Sequence, residues 1–166
     1  MKSTSAIALT TALLMLFTLP AAASSLSQSD ESYLNSEMQT ALGRYALASL
    51  AQKQASSPNV KQLAQNIQTQ SSTESQHLEK IAKQYGVSPP KSPSVRDSYH
   101  YSQLTGLHGK AFDQQFVQEL TVDDDIVSGN NQSEAQSGQN PQLKAIAKQQ
   151  YATLQHEKQA LSQIHS

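Results

Sequence analysis

The sequence predicts an all-α protein, an antiparallel four-helix bundle, and three features carry that expectation. Apolar residues recur at intervals of three and four through most of the chain, without the alternation of strands. Four such amphipathic stretches are joined by two short turns and one long Pro-rich link, the connectivity of an antiparallel bundle. Cysteine is absent, so neither disulfides nor thiolate metal sites staple the chain, and helix packing must hold it.

The first residues read as an export signal. Lys2 gives a positive start, and residues 6–19 form an apolar run too short to span a bilayer comfortably. Ala21, Ala22 and Ala23 then offer the small residues that a signal peptidase needs. Cleavage after Ala23 sends the mature chain to the periplasm or outside the cell, and the missing cysteine excludes a lipoprotein. The expected division is signal peptide 1–23, flexible leader 24–29 and bundle domain 30–166. No second apolar segment is present, so the mature chain is expected to lack a transmembrane span.

Ser29 or Asp30 can cap a first helix that runs to about Ala55, with Leu34, Met38, Ala41, Tyr45 and Ala48 on its seam. Gly43 weakens it by about 1 kcal/mol relative to Ala. The second helix is better bounded: Ser57 caps it, Pro58 fits its first turn, and Gly86 ends it in the left-handed conformation. Its apolar face is Val60, Ala64, Ile67, Leu78, Ile81 and Tyr85. The turn between the two helices is short, which makes them an antiparallel pair.

Residues 87–97 hold Pro89, Pro90 and Pro93 and no apolar run, so they form the long surface link. Residues 99–109 carry a short helical turn, with Leu104 and Leu107 against one bundle end. A third helix begins near Lys110 with Phe112, Phe116, Leu120, Ile126 and Val127 as its stripe. It runs past Gly129 toward Ala135 and stops by Gly138, although GNNQS weakens the run. Asn140 caps the fourth helix and Pro141 opens it, with Leu143, Ile146, Ala147, Leu154, Leu161 and Ile164 on the seam.

The formal net charge of −1 gives no electrostatic case for nucleic acid or acidic lipid. A Gly-rich phosphate loop, a nucleophile elbow and a reactive thiol are all missing, so no catalytic residue and no organic cofactor is nominated. The expected partners are an envelope protein, met through the Gln-rich faces, or a small ligand.

What stands out is that every seam turns polar near its middle. Arg44 does so on the first helix, Ser71, Glu74 and His77 on the second, Asp123 and Asp124 on the third, and His156 and Glu157 on the fourth. Two chemistries fit. In the first, Arg44, Ser71, Glu74, Asp123, Asp124 and His156 make a structural polar layer, the guanidinium holding the acids and fixing helix register. In the second, Glu74, His77, Asp124, His156 and Glu157 hold a divalent metal such as iron, zinc or manganese. Glu74 and His77 have the spacing of ferritin-like di-metal sites, but Thr153 stands where a second such pair needs its carboxylate. The Asp123–Asp124–Asp125 run also reads as a mainly solvated face, since adjacent residues cannot all point inward. His100, His108 and His165 read as surface residues of a loop or the tail.

The runs LASLAQKQASSPNVKQLA, HLEKIAKQYGV, LTGLHGKAFDQQF and NPQLKAIA occur in order across residues 44–161. In these the chain resembles the bacterial exported family known as domain of unknown function 4142, which is ferritin-like in fold. The resemblance implies inward polar positions occupied in the family by a Glu, an Asp-His pair and a further histidine. This chain has Arg44, then Gln70 and Ser71, then Asp124 at those places, and keeps only His156 in kind. It therefore implies a rewritten layer in which Arg44 is the internal counter-ion. The family carries no established activity.

Overall fold

The computed structural model describes residues 25–164; the expected signal peptide and its cleavage site lie outside them. The described residues form helices and no strands: α1 Gln28–Gln54, α2 Pro58–Tyr85, α3 Val95–Thr105, α4 Gly109–Ser137 and α5 Pro141–Ile164. They pack as a helical bundle of four long helices and one short one. α1 packs chiefly on α2 and α4 chiefly on α5, so two hairpins face each other across slighter α1–α4 and α2–α5 contacts. No described helix is long and apolar enough to cross a membrane.

Local chemistry sets the ends. Ser57 caps α2 ahead of Pro58, and Gly86 closes it at φ 71°, as the sequence predicts. α1 starts earlier than expected because Ser27, not Ser29 or Asp30, is the cap: its hydroxyl accepts Asp30 N–H at 3.1 Å. Asp30 is thereby turned inward and buried. The expected turn in residues 99–109 is instead an 11-residue helix, and it shortens the Pro-rich link. Ser94 accepts Asp97 N–H at 3.1 Å and donates to the Asp97 carboxylate at 2.6 Å, a side-chain cap that begins the helix at Val95. α4 is unbroken through GNNQS, since Asn131 is buried there and donates to the Val127 carbonyl at 3.0 Å. Asn140 caps α5 by accepting from Gln142 N–H at 2.9 Å and Leu143 N–H at 3.1 Å.

Two tight contacts position these pieces. Asp113, in the first turn of α4, accepts from Ser56 N–H at 3.0 Å and Ser57 N–H at 2.9 Å, tying the α1–α2 turn to α4. Gly43, which costs α1 helix propensity, is where α3 docks. A Cβ there would lie 2.5 Å from Cβ of Asp97. Two seam assignments are corrected: Tyr45 is 46% exposed and Ile126 is 42% exposed. Each helix is rotated so that the neighbouring polar residues, Arg44 on α1 and Asp123 and Asp124 on α4, face inward instead.

The apolar core is split. One cluster fills the end at the α1–α2 turn, with Leu50, Ile67, Leu104, Phe112, Phe116 and Leu161 among its members. The other lies at the opposite end and takes its buried apolar residues from α1, α2 and α5, including Leu34, Met38, Leu78 and Leu143. Polar side chains lie between the two and extend into the second.

A buried polar column between the hairpins

Asp30, Glu37 and Arg44 stand seven residues apart on α1, about 10 Å of helix rise per step, so they share one face. On α4 the same spacing relates Asp124 and Asn131 and reaches Gly138 just past the helix end. Because α1 and α4 run antiparallel, the two rows meet rung by rung. The expected single layer at mid-helix is therefore a column, running from the middle of the bundle to the end where α4 turns into α5.

Arg44, only 6% exposed, makes the central rung. Its Nη1 donates to Asp124 at 2.7 Å and to Asp123 at 3.2 Å, and its Nη2 donates to Glu157 on α5 at 2.5 Å. Arg96, reaching in from α3, lies 2.9 Å from the other oxygen of Asp123. Burial alone would discharge the Arg44 guanidinium, but Glu157, Asp124 and Asp123 overcome it and raise its affinity for the proton. Burial prevails at Asp124, whose carboxyl is pushed up to about 7 despite Arg44 beside it. Asp123 and Asp124 both point inward to Arg44, Asp123 meeting Arg96 as well, and only Asp125 of that run is exposed, paired with Lys158 at 2.6 Å.

The next rung holds Glu37, Glu74, Tyr33 and Asn131. Asn131 accepts from the Tyr33 hydroxyl at 2.8 Å and donates to Glu37 at 3.3 Å. Glu37 and Glu74 are hydrogen-bonded to each other, which requires a proton between them. Burial, then the charge of Glu37, lift Glu74 well above the usual carboxylate range, and burial pushes Glu37 up to about 7. The hydrogen bond favours the charged form of Glu37 and the neutral form of Glu74, so Glu74 carries the proton. Burial and the nearby acids also raise the Tyr33 phenol, which stays a neutral donor.

The last rung joins Asp30 to Glu134 on α4 and to Gln139 N–H, at 2.9 Å, in the α4–α5 turn. Burial works against the Asp30 charge, but hydrogen bonds from Ser27 and the turn outweigh it and hold its carboxyl below the usual range.

The sequence candidates divide cleanly. Arg44, Ser71, Glu74, Asp123, Asp124 and Glu157 are buried, whereas His77 and His156 are exposed. Glu74 and His77 line one open cleft between α2 and α5, of about 170 Å³, and His156 and Glu157 line another of about 210 Å³. The structure thus brings the acids to Arg44 and leaves the histidines at the rim, because their positions lie beside the buried seam of each helix. Among the described residues no group of three or more His, Asp or Glu side chains is arranged to hold a metal ion. His100, expected at the surface, is buried under α3 with Nδ1 3.4 Å from Glu119. Tyr33, Glu37, Asn131 and Glu134 are polar-column residues that the helix seams do not announce, and Asp30 is announced only as a cap. The seven-residue spacing from Arg44 and Asp124 marks Asp30, Glu37 and Asn131, while Tyr33 and Glu134 carry no such signal.

Comparison with known proteins agrees with the architecture. A fragment of a DUF305 protein from Deinococcus radiodurans superposes with a TM-score of 0.75 at 14% identity, over 85% of this chain and 97% of its own. A DUF305 protein from Streptomyces coelicolor, provisionally described as secreted, superposes with a TM-score of 0.69 at 10% identity, over 81% of this chain and 89% of its own. At such identities the likeness is one of fold. No curated protein matches the chain. The family model described as a domain of unknown function, DUF4142, matches residues 17–164, and the chain belongs to that family.

Proposed function

We propose that this chain is an exported, ferritin-like four-helix-bundle protein without enzymatic activity. It serves as a binding or stress-associated module of the periplasm or envelope, and its buried polar column fixes how the two hairpins align. The observation that carries this reading is Arg44, whose guanidinium meets carboxylates from both helices of the opposite hairpin. The charge that a metal would bring to such a layer is supplied from within the chain. Export is supported by Lys2, the apolar run at 6–19 and the alanines at 21–23. A second reading, a divalent-metal protein, draws on the two clefts where Glu74 accompanies His77 and His156 accompanies Glu157.

Elemental analysis of protein purified from the exported fraction, without chelator or affinity tag, separates the two. The structural reading expects substoichiometric iron, zinc and manganese, and the same content in Glu74→Ala. Stoichiometric metal that disappears with Glu74→Ala or His156→Ala overturns it in favour of the second.

A further inference from the structure

We propose that Asp30 and Glu134 form a proton-gated clasp, which pins the α4–α5 turn to the start of α1 and releases it as the surroundings turn alkaline. Both side chains are buried; Asp30 accepts from Gln139 N–H at 2.9 Å, Glu134 lies against the adjoining Gly138, and Glu134 Oε1 has no other hydrogen-bond partner, so the two carboxyls meet across the hairpin interface. Two carboxyl groups can share a hydrogen bond only while one keeps its proton.

The surroundings allow that proton to be lost but give the resulting charge nowhere to go. Asp30 already accepts from the Ser27 hydroxyl at 2.7 Å and from Gln139 N–H at 2.9 Å, so it is the partner held as the carboxylate. Glu134 therefore holds the proton. The Glu134 carboxyl is wedged against Gly138, where a Cβ would collide with its Oε1. Tyr33 faces it from α1 as a neutral phenol. From α5 the charged group that acts on it is Lys144, whose Nζ bonds the Gln136 carbonyl at 3.3 Å. On the α2 side of the turn, the Tyr85 hydroxyl accepts from Asn140 at 2.7 Å. A cleft of about 280 Å³, walled by Ser29, Ser32, Ser133 and Ser137, opens beside Glu134 and gives water a route to it.

Nothing apolar replaces the clasp once it opens. The cluster at this end takes no buried apolar residue from α4, and only the half-buried Ala135 packs against it. Burial, then the hydrogen bond and charge of Asp30, push Glu134 from 4.5 to about 7. The folded chain therefore keeps a proton that the unfolded chain releases near 4.5. The stabilisation is complete below that pH, declines above it and is lost as pH passes about 7.

Amide hydrogen exchange of the wild-type protein at about pH 6 and about pH 8.5, corrected for base catalysis, tests the clasp. Protection of residues 131–143 is expected to fall about tenfold or more at the higher pH, while peptides covering Phe112 and Phe116 hold theirs. In Glu134→Gln the amide donates permanently to Asp30, so the fall disappears. Asp30→Asn makes the same test from the other side if the first variant does not fold. Equal corrected protection of wild-type residues 131–143 at both pH values overturns the proposal. So does an undiminished fall in either variant.

Discussion

Near its start α4 buries Phe112, Phe116, Val117 and Leu120; near its end it buries Ser128, Asn131 and Glu134. One helix thus meets the same opposing hairpin in two ways. The first contact works by excluding water, which is non-directional and changes little with pH. The second works by hydrogen bonds and ion pairs, which require matched partners at matched heights. Apolar packing makes one end of the bundle stable. Polar matching at the other end tells the hairpins which register to adopt and makes their union depend on protonation.

Substitutions at the two ends sharpen this contrast. Phe112→Ala should cost about 3–5 kcal/mol by thermal melting, with the same loss at acid and alkaline pH. Arg44→Ala should cost a similar amount, about 3–5 kcal/mol, because it strands Asp123, Asp124 and Glu157 without their cation. Its loss should shrink as pH falls and the stranded acids take up protons, whereas a melt unmoved by the change would dissolve the distinction between the ends. Glu37→Gln should act through pH alone. Glu37 goes from 4.5 unfolded to about 7 folded, so its proton stabilises fully below 4.5 and its contribution fades through about 7. A pH series of wild-type melts should decline across that window, and the variant should decline less. The smallest effect belongs to Lys158→Ala, whose bridge to the exposed Asp125 is worth less than about 1 kcal/mol and should yield to salt.

How far the sequence could be read follows the same division. The limits of α2 were legible because Ser57, Pro58 and Gly86 act within a few residues of themselves. α3 was half hidden: the prolines before it suggested a link, while the Ser94 cap that starts it acts within three residues of itself. Arg44 and the acids of α4 could be matched in advance, since an apolar seam that turns charged calls for an opposite charge. Glu37 could not. Its burial depends on Asn131 and Glu74, which arrive from other helices, and nothing beside it in sequence marks it as internal. The inward turn of both Asp123 and Asp124 is likewise set from other helices, by Arg44 on α1 for both and by Arg96 on α3 for Asp123.

The fit between α1 and α3 has an evolutionary corollary. Position 43 has no side chain, and Asp97 occupies the room where one would begin. A methyl added there would lift α3 away, uncover Leu104 and withdraw Arg96 from Asp123. Descendants of this chain that gain bulk at 43 should therefore have lost it at 97, and the two sites should change as a pair.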